Sequence, residues 1–161
     1  MDSEELLKLP LFAGLSPTEL ACLDQGEVIS FPAGSMIARE GDPVDYFYVI
    51  LEGEIRVTKN YDGQEVVLAV HTTGKFFGEV PLLLDMPYFI DGQARTACRL
   101  LRYSREEFWS LMRNCPSVSK EILRTMAARL RGLEGYSQQR EKLVSLGTMA
   151  AGLAHELNNP A

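Results

Sequence analysis

Short apolar runs, several of them alternating with polar residues, fill the chain between Glu27 and about Val70. Turn residues, mainly glycine, proline, asparagine and aspartate, separate these runs at close intervals. An apolar run of about four to eight residues bounded by turn residues is typical of a β-strand. Since no helical period intervenes, the pattern predicts a β-sandwich or β-roll rather than alternating β-α-β units. The strands are predicted at 28–31, 36–39, 46–51, 55–57 and 66–70.

Helical patterns lie on both sides of this β region. Before it, the sequence predicts two short helices, the second beginning at the capping box Ser16–Glu19. After it, Ser104–Glu107 forms a second capping box, and Pro116 can begin a further helix. No proline follows until Pro160. One long C-terminal helix is therefore predicted from Pro116 onward.

Composition places the chain among ordinary globular proteins, with 46% hydrophobic and 24% charged residues in a length of 161. No run reaches the ~20 apolar residues of a membrane-spanning helix, and the acidic N-terminus is unlike a signal peptide. Cys22, Cys98 and Cys115 stand far apart without paired spacing, which argues against a disulfide scaffold or a zinc ribbon. We therefore expect a reduced, cytoplasmic protein that binds no metal and does not associate with a membrane.

Charge is divided unevenly along the chain. Residues 1–95 carry six Lys and Arg against sixteen Asp and Glu, a net charge of −10, whereas residues 96–161 carry ten against six, a net charge of +4. A basic C-terminal part is compatible with nucleic-acid binding or with a solvated basic helix. We favour the solvated helix and expect no nucleic-acid partner.

The order of these signals resembles that of cyclic nucleotide-binding domains. The matching residues of the first signature are Ile37, Gly41, Asp42, Phe47, Tyr48, Val49, Ile50, Gly53, Ile55 and Val57. The segment Phe77–Leu83 resembles the beginning of that family's phosphate-binding cassette. The resemblance covers roughly residues 6–130. It implies an α+β fold, a jelly-roll-like β-roll with flanking N-terminal helices and a long C-terminal dimerisation helix.

The cassette resemblance also implies a ligand site. In the family, the cassette glycine lets the backbone approach the ligand, and the glutamate, here Glu79, accepts hydrogen bonds from the ribose hydroxyl. A short helix then offers free N–H groups to the phosphate. The candidate ligand-binding residues are Gly78, Glu79, Val80, Leu82, Tyr88 and Phe89.

This sequence differs from the family at the arginine that pairs with the phosphate. An alignment without gaps places that position on Tyr88 and the neighbouring purine-contacting position on Phe89. The alternative assigns the phosphate to Arg95, which stands in an Arg-Thr-Ala triplet, but it requires an insertion within the cassette. Losing one partner of a buried charge pair costs about 2–5 kcal/mol. Under the gapless alignment, we expect cyclic AMP to bind weakly or not at all, and the pocket to take a cyclic nucleotide only loosely or another small ligand.

The last twenty residues resemble the phosphoacceptor box of sensor histidine kinases, ending in His-Glu-Leu-Asn-Asn-Pro. The resemblance makes His155 the phosphoacceptor, Glu156 its acid/base partner and Asn159 the residue that positions water. A coiled-coil seam at spacings of 3, 4, 3 and 4 places His155 on the opposite, exposed face. An unprotonated imidazole there can act as a nucleophile near neutral pH. The seam residues are Leu143, Leu146, Ala150, Leu153 and Leu157.

These features predict three segments: a sensor domain over 1–115, a connecting and dimerisation helix over 116–140, and a truncated phosphoacceptor helix over 141–161. The chain is expected to be the N-terminal regulatory part of a cytoplasmic two-component histidine kinase. ATP would be used only by a kinase domain that these residues lack, so the chain alone is expected to be inactive. The expected partners are a second copy, through the C-terminal helix, and the receiver domain of a response regulator. The alternatives are a ligand-binding module that merely dimerises and a catabolite activator-type regulator that binds a cyclic nucleotide.

Overall fold

The computed structural model describes residues 3–157, with side chains placed continuously as far as residue 132 and at scattered positions beyond it. Eight strands lie within these residues: β1 Glu27–Phe31, β2 Met36–Ala38, β3 Tyr46–Glu52, β4 Ile55–Tyr61, β5 Gln64–His71, β6 Phe76–Phe77, β7 Asp91–Ala94 and β8 Cys98–Ser104. The helices are α1 Ser3–Leu7, a 3₁₀ helix Pro17–Asp24, α2 Glu79–Leu84, α3 Arg105–Asn114 and α4 Pro116–Leu157.

The strands form two four-stranded antiparallel sheets, in the orders β1-β8-β3-β6 and β2-β7-β4-β5. The predicted β-roll is confirmed, and each predicted strand is present. Three strands, β6, β7 and β8, were not predicted from the hydrophobic pattern. Strands β6 and β7 are short, and they frame the segment that carries the cassette.

Strand β3 explains why residues 46–51 read as an unbroken apolar run. Its side chains point alternately to two hydrophobic cores. Phe47 and Val49 face the core shared with the helices, whereas Tyr48 and Ile50 face the core between the two sheets. The helical side of the first core is supplied by Leu6, Phe12, Leu23, Phe108, Leu111, Val118 and Ile122.

The N-terminal capping box is present, but it begins a 3₁₀ helix. The backbone N–H and the hydroxyl of Ser16 donate to the Glu19 carboxylate at 2.9 and 2.7 Å. Glu19 is buried and also accepts from the backbone N–H and the hydroxyl of Ser117, both at 2.9 Å. These donors, the Ser117 amide first and then Ser16, lower the pKa of Glu19 to about 2. One carboxylate therefore joins the 3₁₀ helix to the first turn of α4.

The expectation that the cysteines are reduced is wrong for two of the three. Cys22 in the 3₁₀ helix forms a disulfide with Cys115, which lies between α3 and α4, and the two Cα atoms are 6.6 Å apart. Cys98 remains a free, buried thiol. Sequence spacing could not show this pair because 93 residues separate its members. The fold brings them together by packing the 3₁₀ helix against the α3–α4 junction.

The second capping box is confirmed at the start of α3. The Glu107 N–H donates to Ser104 Oγ at 3.3 Å, and the Ser104 N–H donates to Glu107 Oε2 at 2.6 Å. Helix α4 begins at Pro116 as predicted. The chain divides into two compact units between Leu123 and Arg124. Within the described residues, no helix combines the length and hydropathy needed to cross a bilayer.

Candidate functional site

Gly78 sets the geometry of the cassette. It joins β6 to α2 with a φ of +91°, a conformation that other L residues rarely adopt. A Cβ atom at this position would lie 2.7 Å from the backbone carbonyl oxygen of Tyr46 in β3. Glycine is therefore required both by the dihedral angle and by the close approach of β3, and it allows α2 to begin immediately afterwards.

The first residue of α2 is Glu79, and it is completely buried. Val80 and Leu82 are buried beside it in the same helix. A carboxylate taken out of water is stabilised only by hydrogen-bond donors or positive charge. The structure therefore places a hydrogen-bond acceptor, the Glu79 carboxylate, inside the fold, at the position where the cassette resemblance expects one.

Tyr88 lies in the same region and is only 7% exposed. Its N–H donates to the carbonyl of Asp42 at 3.0 Å, and its carbonyl accepts from the N–H of Gly41 at 2.7 Å. Burial is the main cause that raises the pKa of the Tyr88 phenol, and the neighbouring charges of Asp45 and Glu79 raise it further. A neutral, buried phenol thus occupies the position that the gapless alignment assigns to the phosphate partner.

Phe89 is half-buried, and its backbone is fastened to sheet β2-β7-β4-β5. The Lys59 ammonium in β4 donates to the Phe89 carbonyl at 2.7 Å and also pairs with the Glu40 carboxylate. The Glu40 N–H in turn donates to Asp91 Oδ1 at 2.7 Å. The loop from 85 to 90 is therefore anchored close to its end as well as at Tyr88.

Arg95 lies elsewhere, in the exposed turn between β7 and β8. Its N–H donates to the Glu54 carbonyl at 2.8 Å, and its guanidinium pairs with the Glu54 carboxylate at 3.3 Å. Glu54 follows the C-terminal end of β3, whereas Gly78 contacts Tyr46 at the other end. A seven-residue strand is roughly 20 Å long. The structure therefore does not bring Arg95 to Glu79.

Sequence reasoning missed two features around the cassette. Tyr48 stacks on Phe77 with ring centroids 4.9 Å apart, which places an aromatic pair next to Gly78. Arg105, the first residue of α3, donates to Asp85 Oδ1 at 3.1 Å and to the Val44 carbonyl at 3.0 Å. Arg105 thus links the end of α2 to the start of α3. Its only signal in the sequence was its place in the second capping box.

The comparison with known families agrees with this geometry. Residues 28–115, more than half of the chain, match the family described as "Cyclic nucleotide-binding domain". The chain belongs to the cyclic nucleotide-binding domain family. The matched residues of this domain contain all eight strands except the first residue of β1, together with α2 and α3.

Relatives of this cyclic nucleotide-binding domain come from several kinds of protein. A CRP-like cAMP-activated global transcriptional regulator of Mycobacterium tuberculosis is 29% identical over 130 residues, which are 80% of this chain and 58% of the regulator. The catabolite activator protein of Thermus thermophilus superimposes with a TM-score of 0.71 at 30% identity, over 84% of this chain and 63% of that protein.

A third relative is the regulatory subunit of a cAMP-independent protein kinase A from Trypanosoma brucei. It superimposes with a TM-score of 0.71 at 25% identity, over 84% of this chain and 49% of the subunit. The chain therefore spans between about half and just under two thirds of the length of these three relatives.

The phosphoacceptor-like residues follow the matched family region, which ends at 115. His155 and Glu156 fall on the backbone of α4, and their side chains lie outside the described residues, as does the whole of Asn159. The histidine kinase resemblance of this domain's C-terminal extension accordingly rests on its sequence motif.

Proposed function

We propose that this chain is a sensor module whose cyclic nucleotide-binding domain has little affinity for cyclic AMP and acts through α4 on the phosphoacceptor His155. The observation that carries the first half of this proposal is Tyr88. A neutral phenol is buried near Glu79, at the position that the gapless alignment assigns to the partner of the phosphate.

The magnitude of the effect follows from the missing charge. A buried cyclic phosphate without its cationic partner loses about 2–5 kcal/mol, which corresponds to roughly thirty- to several-thousand-fold in affinity. A site with a Kd of 1 μM would then have a Kd between about 30 μM and several millimolar. The fold itself does not imply control by cyclic AMP, since the Trypanosoma brucei relative belongs to a cAMP-independent kinase.

Calorimetry on the full chain tests this part. Cyclic AMP, cyclic GMP and cyclic dinucleotides are titrated into wild type, Tyr88→Arg, Phe89→Arg and Arg95→Ala. We expect no micromolar binding of cyclic AMP by wild type, and a gain for Tyr88→Arg. The Phe89→Arg variant is the matched control for the position of the new charge, because it adds the same charge one residue later. Micromolar binding by wild type that Arg95→Ala abolishes would overturn the gapless alignment.

The second half of the proposal concerns the phosphoacceptor. Its support is the His-Glu-Leu-Asn-Asn-Pro motif together with the heptad seam upstream, and α4 is helical as far as Leu157. On a helix, the seam places the His155 imidazole on the opposite face, where a kinase domain and the receiver domain of a response regulator can reach it. Phosphoryl transfer depends mainly on positioning, so an exposed nucleophile on a stiff helix suffices on the acceptor side.

A phosphorylation assay tests this half. The full chain is incubated with labelled ATP and the ATP-binding domain of a sensor histidine kinase. We expect acid-labile label on wild type, none on His155→Gln and full label on the matched control His71→Gln. Glu156→Ala should slow transfer by roughly 10²–10⁴-fold if this carboxylate acts as the general base. Label that persists in His155→Gln, or that is stable to acid, contradicts the assignment.

A second candidate is a catabolite activator-type regulator, which the identity to the Mycobacterium tuberculosis transcriptional regulator favours. It predicts tight binding of cyclic AMP by wild type and no phosphorylation of His155. The calorimetric and phosphorylation experiments therefore separate the two candidates.

A further inference from the structure

The junction between α3 and α4 is fastened to the 3₁₀ helix by a covalent bond. Cys115 is the residue at which α3 ends and after which α4 begins, and its sulfur is bonded to that of Cys22. The Cα separation of 6.6 Å lies within the range of about 4.4–6.8 Å that disulfides usually span. Cys22 is 5% exposed and Cys115 is fully buried.

A second, non-covalent connection joins the same two elements. The Glu19 carboxylate in the 3₁₀ helix accepts two hydrogen bonds from Ser117, in the first turn of α4. Val118 and Ile122, in the first two turns of α4, are completely buried in the core that also contains Leu23. These contacts do not involve sulfur. Breaking the disulfide should therefore loosen the junction without separating the two elements.

The junction also stands between the cassette and the C-terminal helix along the chain. Helix α3 is tied to the end of α2 through Arg105 and Asp85, and α4 continues from Cys115 toward residues 124–157. A bond at Cys115 restricts the residue at which the helix direction changes, whose φ of −126° and ψ of 78° are not helical. This bond is thus placed to control how freely the first turns of α4 move relative to α3.

We propose that Cys22 and Cys115 form a reversible thiol–disulfide latch, closed and opened by exchange with a small thiol of the glutathione type, that sets how tightly the start of α4 is held. Closing the latch forms one S–S bond in the protein and breaks the S–S bond of one glutathione disulfide. The two cysteine thiols are oxidised, and their two protons leave on the two glutathione thiols released. A mixed disulfide on one cysteine is the intermediate, which the thiolate of the other cysteine resolves.

Burial sets the rate of this exchange. Neither sulfur is open to an external thiol in the closed fold. Exchange therefore proceeds through local opening of the 3₁₀ helix or the junction.

The test uses the full chain in glutathione buffers that range from mainly reduced to mainly oxidised. Samples are quenched, denatured and alkylated, and the labelled thiols are counted by mass spectrometry. We expect three labelled cysteines at the reduced end and one, Cys98, at the oxidised end. Amide hydrogen exchange of residues 117–123 should be at least about tenfold slower when the latch is closed, with an unchanged circular dichroism spectrum.

Variants separate the latch from other effects. In Cys22→Ser, exchange at 117–123 should be fast and independent of the glutathione ratio, and Cys115→Ser should reproduce this result if either variant folds poorly. Cys98→Ser is the matched control and should behave as wild type. Three results would overturn the proposal: three labelled thiols at every glutathione ratio, equal amide hydrogen exchange rates of residues 117–123 in reduced and oxidised buffer, or loss of the fold on reduction. None of these readouts uses a ligand or phosphate, so their failure is distinguishable from failure of the proposed function.

Discussion

Replacing Gly78 with alanine tests the strained turn on which the cassette depends. Two costs are expected. The φ of +91° disfavours an L residue by about 1–2 kcal/mol. In addition, the new Cβ would lie 2.7 Å from the Tyr46 carbonyl oxygen, an atom of the β3 backbone that cannot rotate away. Overpacking of this kind costs about 1–3 kcal/mol. The total expected for Gly78→Ala is therefore about 2–5 kcal/mol.

Gly34 offers a matched control. Its φ is +87°, but a Cβ atom there would meet nothing within 4 Å. The Gly34→Ala variant thus carries the dihedral cost of about 1–2 kcal/mol without the clash. The difference between the two variants isolates the close approach of β3 to the cassette.

Urea unfolding measures both variants, with the fluorescence of Trp109, the single tryptophan, as the signal. The free energies of unfolding are compared at equal m-values, so that changes in the unfolded state do not enter. Equal destabilisation of the two variants, within about 0.5 kcal/mol, would refute the packing argument. It would mean that α2 can shift away from β3 at no cost, and that Gly78 does not fix the position of Glu79.

Two further predictions concern the 3₁₀ helix and the long helix. The pKa of Glu19 is lowered from 4.5 to about 2 in the fold, so its contribution to stability is fully present above about pH 4.5 and is lost as the pH falls toward 2. Urea titrations between pH 2 and 6 should show that the free energy of unfolding decreases less steeply with falling pH for Glu19→Gln than for wild type or for the exposed control Glu134→Gln. An equally steep decrease in all three contradicts this role of Glu19. The apolar spacing of Leu123, Met126, Leu130 and Leu133 predicts a parallel homodimer through α4. Light scattering should find monomers for the double variant Leu130→Asp and Leu133→Asp and dimers for Arg131→Asp, whereas a monomeric wild type at high concentration shows that the prediction is wrong.

Residues with a local signal could be predicted from the sequence. The apolar strands, the two capping boxes and the start of α4 at Pro116 all depend on neighbours within a few positions. Strand β7 carries no such signal because Asp91–Ala94 contains one apolar residue and a glycine. It is a strand because β2 and β4 pair with it on either side, and because Gly92 leaves room for the Ala38 side chain.

In the candidate site too, features with a local sequence signal could be predicted, whereas features that depend on distant contacts could not. Gly78 and Glu79 could be found from their motif, since glycine and glutamate must be adjacent for the turn and the first residue of α2. The disulfide could not, because the closeness of Cys22 and Cys115 results from packing across 93 residues. The aromatic pair of Tyr48 and Phe77 also depends on the register between β3 and β6, which the sequence alone does not fix.

Part of the uneven charge of the chain is used in ion pairs within the fold. Basic residues of β8 and α3 lie in the positively charged part of the sequence, yet they pair with acids from the negatively charged part. Arg99 contacts Glu5 and Glu52, and Arg102 contacts Glu27, across adjacent strands or from the first helix. Each exposed pair contributes at most about 1 kcal/mol. Together they favour the register in which β8 lies between β1 and β3, because a shift by one residue would move each guanidinium to the opposite face of the sheet. For these arginines, the charge asymmetry is therefore used within the fold, and a partner surface must be sought among other basic residues.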